Sequence, residues 1–100
     1  MRATKLSGAT TIRRLFRVSD PNGLHARPAA LIARTASQFE ARITVQRGET
    51  VTSGRSLMAL LTLCVGPGEL LTIVAEGVDA DQSMVVLESV FQRHAFMIRV

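Results

Sequence analysis

Cysteine is nearly absent from this 100-residue chain. Cys64 stands alone, which excludes an intramolecular disulfide and any zinc cluster built from several cysteines. A lone thiol suits a reducing compartment, so a cytoplasmic location is expected. Tryptophan and tyrosine are missing altogether, and the four phenylalanines do not alternate with basic residues. That pattern lacks the stacking platform that single-stranded nucleic acid requires, so no nucleic-acid partner is expected. No stretch approaches the roughly 18 apolar residues of a membrane span. The opening "MRATKLSGAT" has no apolar run of the roughly seven residues a signal peptide needs, and residues 1–10 are expected to form a flexible lead-in. Membrane insertion is therefore not expected.

What is present fits one domain. Hydrophobic residues make up 47% and mean hydropathy is +0.24, enough for one core at this length and too little for two. Twelve basic residues, eleven of them Arg, against eight acidic ones give a net charge of +4. Such a balance favours acidic partners. There is no internal repeat, linker or low-complexity segment, and a monomer is expected.

Residue periodicity outlines the elements. In "IRRLFRV" (12–18), Phe16 and Val18 share one face while Leu15 and Arg17 share the other, the pattern of a half-buried strand. "DPNG" is a turn. From residue 26 to 39, Ala29, Ile32, Ala33, Ala36 and Phe39 fall at helical spacing opposite Arg34 and Ser37, an amphipathic helix. "RITVQ" (42–46) turns Ile43 and Val45 inward, and "RGE" connects it to "TVTS" (50–53) as a hairpin. Ser56 is a favoured N-cap for a helix of about two turns in "SLMALLTL". "LLTIVAEG" (70–77) is a further strand with Leu71, Ile73 and Ala75 on one face. "DADQSMVVLESVFQRH" (79–94) opens with the capping-box spacing of Asp79 and Gln82 and repeats Ala80, Met84, Leu87 and Phe91. The order is βαββαβα in the α+β class: a four-stranded antiparallel sheet with three helices on one face and solvent on the other. The domain is expected to span residues 11–94. The apolar tail, residues 95–100, has no assigned role; packing on the open sheet face or self-association would each use it.

One histidine stands out. In "NGLHARPAA" (22–30), His25 lies between the turn and the first helix, where backbone N–H groups have no partner and the macrodipole presents positive charge. Such an end suits an anion. Pro28 is tolerated in the first turn, and Arg27 adds a fork matched to phosphate oxygens. Histidine titrates near pH 6.5, so its neutral, nucleophilic form dominates at neutral pH. No carboxylate, Ser or Cys beside it in sequence completes a hydrolytic triad. The constellation fits phosphoryl transfer through a phosphohistidine. The same residues also suit a histidine that only starts a helix, in a basic, non-catalytic interaction module. His94 and Cys64 have no metal-site spacing relative to His25, and neither metal nor cofactor is expected.

"PNGLHARPAA" resembles the active-site signature of the HPr family, the histidine-containing phosphocarriers of the bacterial phosphoenolpyruvate-dependent sugar phosphotransferase system. The resemblance extends through "RITVQ", "SGRSLMALLTLCVGPGELLTIVAEGVDADQ" and the last helix, over roughly residues 12 to 92. It implies the open-faced β-sandwich of that family. It further implies that His25 accepts a phosphoryl group on Nδ1 from phospho-enzyme I and passes it to IIA domains of sugar permeases, acting as a carrier and not as a stand-alone enzyme. Arg27 would stabilise the phosphoryl group, and Asn22 and Gly23 would shape the turn. Ser56 would match the serine modified by HPr kinase/phosphorylase in many members, and equally matches a plain N-cap. Asn22, Ala26, Arg34, Arg55, Leu57, Met58 and Leu61 would form the partner-facing surface, apolar at its centre and basic at its rim. A nitrogen-related or purely regulatory member that moves no sugar would share all of these residues.

Overall fold

Strand alternation determines which way the sheet faces. Phe16, Val18, Ile43, Val45, Leu71, Ile73 and Ala75 are each no more than 2% exposed, whereas Leu15 and Leu70 on the opposite face are solvent-exposed. The computed structural model describes residues 10–100. Its elements are β1 (Thr10–Val18), α1 (Ala26–Ala36), β2 (Arg42–Arg47), β3 (Thr50–Ser53), α2 (Leu57–Leu61), β4 (Leu70–Gly77), α3 (Ala80–His94) and β5 (Met97–Arg99). The strands form one sheet in the order β3-β2-β4-β1-β5, and every pairing is antiparallel. Ala29, Ile32 and Ala36 of α1, Leu60 of α2, and Met84, Leu87 and Phe91 of α3 close the core over the buried face. Phe16 meets Phe91 edge-on, with centroids 5.1 Å apart at 81°, an arrangement that aromatic quadrupoles favour.

The sheet thus has five strands where four were expected, and the tail is the reason. After His94 the chain turns at Ala95, which takes the left-handed conformation (φ 55°). The Phe96 N–H returns to the Phe91 carbonyl at 3.1 Å, closing the helix in a Schellman motif. Glycine usually marks that turn, and its absence hid the reversal from a reading of the sequence. β5 then pairs with β1, matching Met97 to Val18, Ile98 to Arg17 and Arg99 to Phe16. Phe96 and Met97 are buried in the core while Ile98 and Val100 stay exposed, so the tail lies along the sheet edge and not on the open face.

Smaller differences have local causes. The expected lead-in lies outside the described residues except for Thr10, which already belongs to β1. Helix α1 stops at Ala36, short of residue 39, because Gln38 and Phe39 donate three residues back, to Thr35 and Ala36, and wind the end more tightly. Helix α2 is shorter than two turns for the same reason, with Leu63 and Cys64 donating to Leu60 and Leu61. Asp79 forms no capping box. Its carboxylate accepts from the Glu40 and Ala41 N–H groups at 2.9 and 2.7 Å, tying the start of α3 to the connection between α1 and β2.

Because Phe96 is only 4% exposed, Phe96→Ala is expected to cost roughly 3–5 kcal/mol. For a chain of this size that is a fall in Tm of at least about 12 °C. Thermal unfolding followed by circular dichroism checks it, and an unchanged Tm would remove residues 95–100 from the core.

Candidate functional site

The turn before α1 is shaped by one close approach. Gly23 adopts φ +69°, and a Cβ there would lie 2.3 Å from the Val65 carbonyl oxygen. That oxygen accepts the Leu24 N–H at 2.9 Å. Only glycine satisfies both the dihedral and the space. Within the turn, the Asp20 carbonyl accepts from the Gly23 N–H at 2.9 Å, and Asp20 Oδ1 accepts from the Asn22 N–H at 2.8 Å, an Asx turn. The Ser19 and Asp20 N–H groups both donate to the Phe96 carbonyl, at 2.9 and 3.2 Å. The segment that feeds the site is therefore held from two sides, by Val65 and by the tail.

His25 occupies the N-cap position of α1 with extended backbone, and its side chain does not cap the helix. Instead the ring turns back to Asp20, with Nε2 at 3.1 Å from Oδ2. The His25 side chain is 35% exposed and that of Asp20 14%. The Asn22 N–H, and then the hydrogen bond with His25, hold the Asp20 carboxyl below its ordinary value of 3.8. Asp20 is thus ionised at neutral pH and can only accept, so the proton it receives sits on Nε2. Nδ1 has no hydrogen-bond partner among the described residues. The first intrahelical bond runs from the Ala29 N–H to the His25 carbonyl, ahead of which Ala26 and Arg27 have N–H groups and Pro28 has none. No acidic residue lies in this first turn. Arg27 is exposed and makes no hydrogen bond or ion pair among the described residues, while its charge helps to lower Asp20. A partly exposed imidazole with an unpartnered Nδ1, beside backbone donors and an unpaired guanidinium, is an arrangement suited to an anionic group.

The other expected residues fall into two sets. Asn22, Ala26 and Arg34 are exposed on the turn and on α1. Helix α1 packs against α2, where Met58 is 71% exposed and Leu57 and Leu61 are half-buried against the core. Ser56 caps α2, its Oγ accepting from the Ala59 N–H at 3.1 Å. Arg55 differs from a free basic rim, because its guanidinium donates to the Phe39 and Ala41 carbonyls. His94 stacks on Phe96 with centroids 5.2 Å apart, and Cys64 is exposed. Among the described residues no group of three or more His, Cys, Asp or Glu could hold a metal ion, and no helix is long and apolar enough to cross a membrane.

Asp20 is the residue that sequence reasoning missed. Its only signal was its place in "DPNG", which reads as a turn former and nothing more. Also missed was the support beneath the turn. Arg47 donates to the Leu63 carbonyl at 3.2 Å and to Glu69 Oε2 at 2.9 Å, while Glu69 Oε1 accepts from the Gly66 N–H at 2.6 Å. These bonds close the 62–69 connection around Val65.

An open sheet with helices on one face and a partly exposed histidine at a helix start is an arrangement suited to exchanging a small group with partners. A family model for the phosphorylation site of the phosphotransferase-system HPr component matches residues 12–93. The chain is 39% identical over 75 residues to phosphocarrier protein NPr of Shewanella violacea, covering 75% of this chain and 82% of that one. It is 37% identical over 76 residues to phosphocarrier protein HPr of Treponema pallidum, covering 76% and 86%. A solved mycoplasma histidine-containing phosphocarrier superposes with a TM-score of 0.80 at 31% identity, over 88% of this chain and 98% of the other. The chain belongs to the HPr family and is a phosphocarrier of the phosphotransferase system. Membership of a phosphocarrier family stands against the alternative of a basic, non-catalytic interaction module.

Glu69 makes the support of the turn pH-dependent. The Gly66 N–H first, and Arg47 second, hold its carboxyl below the ordinary value of 4.5. A depressed carboxylate contributes stability that is full above its unfolded value and disappears as pH falls through the folded one. The Tm gap between wild type and Glu69→Gln is therefore expected to be constant above about pH 4.5 and to close below it. Thermal melts from pH 7 to pH 3 measure this, and a gap that widens in acid would contradict the role given to Glu69.

Proposed function

We propose that this chain accepts a phosphoryl group from phospho-enzyme I on Nδ1 of His25 and passes it to IIA domains of sugar permeases in the cytoplasm. The observation that supports this best is the pairing of an unpartnered, partly exposed Nδ1 with the open start of α1. A carrier must expose its phosphorylated group to one partner after another, so a closed pocket would hinder it. The N–H groups of Ala26 and Arg27 and the Arg27 guanidinium supply donors where three phosphoryl oxygens would lie. Asn22, Ala26, Arg34, Leu57, Met58 and Leu61 form the docking surface in this reading, and Arg55 contributes charge to its edge. The protein acts as a carrier and not as a stand-alone enzyme.

A second reading, a regulatory phosphocarrier that moves no sugar, is favoured by one observation: a relative named NPr matches at 39% identity, alongside relatives named HPr. The chemistry at His25 is the same in both readings.

Replacing His25 by Ala is expected to abolish phosphate acceptance from phosphoenolpyruvate and enzyme I while leaving the fold intact, because the ring is partly exposed and packs into no core. Wild type should gain one acid-labile phosphate, the mark of a P–N bond. Intact mass before and after acid treatment reads this out, and acid-labile labelling of His25→Ala would move the site elsewhere.

Ser56 is the second modification site in this reading, the target of an HPr kinase/phosphorylase. A phosphate there adds about two negative charges at a helix N-terminus, beside a surface that docks acidic partners. Ser56→Asp should therefore slow charging of His25 at low salt, where repulsion is least screened. Its Tm should stay within about 1–2 °C of wild type, since Asp also serves as an N-cap. Equal charging rates would leave Ser56 as a helix cap alone.

A further inference from the structure

Asp20 is fixed more firmly than a surface turn residue requires. Its N–H is held by the Phe96 carbonyl, its carbonyl by the Gly23 N–H, and Oδ1 by the Asn22 N–H. The remaining oxygen, Oδ2, meets His25 Nε2 at 3.1 Å, and the side chain is only 14% exposed. The charged groups that act on this carboxylate are His25 and Arg27. Nothing in the turn's own geometry needs Oδ2 to point at the ring.

We infer that Asp20 is a positioning residue for phosphoryl transfer at His25, holding the proton on Nε2 so that Nδ1 presents its lone pair to the phosphoryl donor. This rests on His25 being the acceptor. In a neutral imidazole one nitrogen donates and the other accepts, and the hydrogen bond made by one determines the state of the other. On transfer the Nδ1 lone pair forms the new N–P bond, while the donor's bond to phosphorus breaks and its electron pair stays with the donor. The ring of His25 becomes a cation that keeps its Nε2 proton, and the Asp20 carboxylate faces that charge without itself becoming protonated. Delivery to the next acceptor reverses these changes: the N–P bond breaks, its pair returns to Nδ1, and the ring is again neutral. No proton has to enter or leave the site in either direction.

The tail enters this assignment through Phe96. Its carbonyl receives the Ser19 and Asp20 N–H groups together, and Ser19 Oγ donates to the Ala95 carbonyl at 3.0 Å. The turn out of α3 and the start of β5 thereby set where the carboxylate stands.

Two substitutions separate positioning from mere loop structure. Asp20→Asn retains the shape and an oxygen for the Asn22 N–H, which turns its NH2 group toward Nε2. Nε2 must then accept, so the proton moves to Nδ1 and blocks the nucleophile; a comparable exchange beside a catalytic histidine yields the wrong tautomer elsewhere. Asp20→Ala leaves the ring free to populate both forms. Long-range 1H–15N spectra at about pH 8.5, well above the ordinary histidine range, should show the proton on Nε2 in wild type, on Nδ1 in Asp20→Asn, and on both in Asp20→Ala. Charging by phosphoenolpyruvate and enzyme I should fall in the order wild type, Asp20→Ala, Asp20→Asn, with the last at least about tenfold below the first. A purely structural Asp20 predicts the reverse order for the two variants, since Asn preserves the turn better than Ala. The same tautomer in wild type and Asp20→Asn, or faster charging of Asp20→Asn than of Asp20→Ala, overturns the inference. If enzyme I does not charge wild type, the carrier reading fails. Phosphoramidate, a small donor that needs no partner, then tests Asp20 separately: phosphate on Nδ1 in wild type and displaced from it in Asp20→Asn supports the inference, and the same nitrogen labelled in both overturns it.

Discussion

The site depends on one backbone contact, the approach of Gly23 to the Val65 carbonyl. Any side chain at position 23 would have its Cβ 2.3 Å from that oxygen, so the turn can lie flat against the 62–69 connection only because glycine has none. With Leu24 bonded to the same carbonyl, the chain enters α1 along a single path. His25 is therefore placed by the backbone on either side of it and not by packing of its own ring. This arrangement suits a partly exposed group that must still be aimed, because apart from the Asp20 carboxylate little side-chain packing is left to orient the ring.

The three helix starts are treated differently, and the difference matters for function. At α2 the Ser56 hydroxyl occupies an N–H that would otherwise lack a partner. At α3 the Asp79 carboxylate is drawn away to Glu40 and Ala41. At α1 the N-cap side chain does not cap, and no acidic residue follows in the first turn. The donors and the positive end of the dipole are left open there, an arrangement that favours an anion. A better-capped α1 would be more stable by itself and poorer at receiving one.

Net charge says less than the fate of each arginine. Arg47 closes the connection beneath the turn, Arg55 is engaged by carbonyls, Arg17 donates to the Gly68 carbonyl, and Arg14 and Arg99 flank Glu88. Arg27 and Arg34, both on α1, make no such bonds among the described residues. The same holds for Arg13 on β1, Arg42 on β2 and Arg93 on α3, so unengaged cations are spread over the surface, and Arg27 and Arg34 are the two on the helix that begins at His25, which packs against α2 with its exposed Met58.

The sequence by itself determined what depends on period and on local chemistry. Alternation in β1, β2 and β4 assigned the buried face residue by residue, helical spacing identified the core stripe of α1 and α3, and Ser56 was legible as a cap because capping involves neighbours three residues apart. His25 and Arg27 were legible because turn, helix start and arginine are contiguous in the chain. Tertiary structure alone decided the rest. β5 escaped notice because Ala95 takes the left-handed turn usually marked by glycine, and because three residues show too little alternation to declare a strand. Asp79 was misread because its partners, Glu40 and Ala41, are distant in sequence. Asp20 was read only as a turn former, since its orientation toward the ring is imposed by Phe96 and Val65, groups that the fold brings together from opposite parts of the chain.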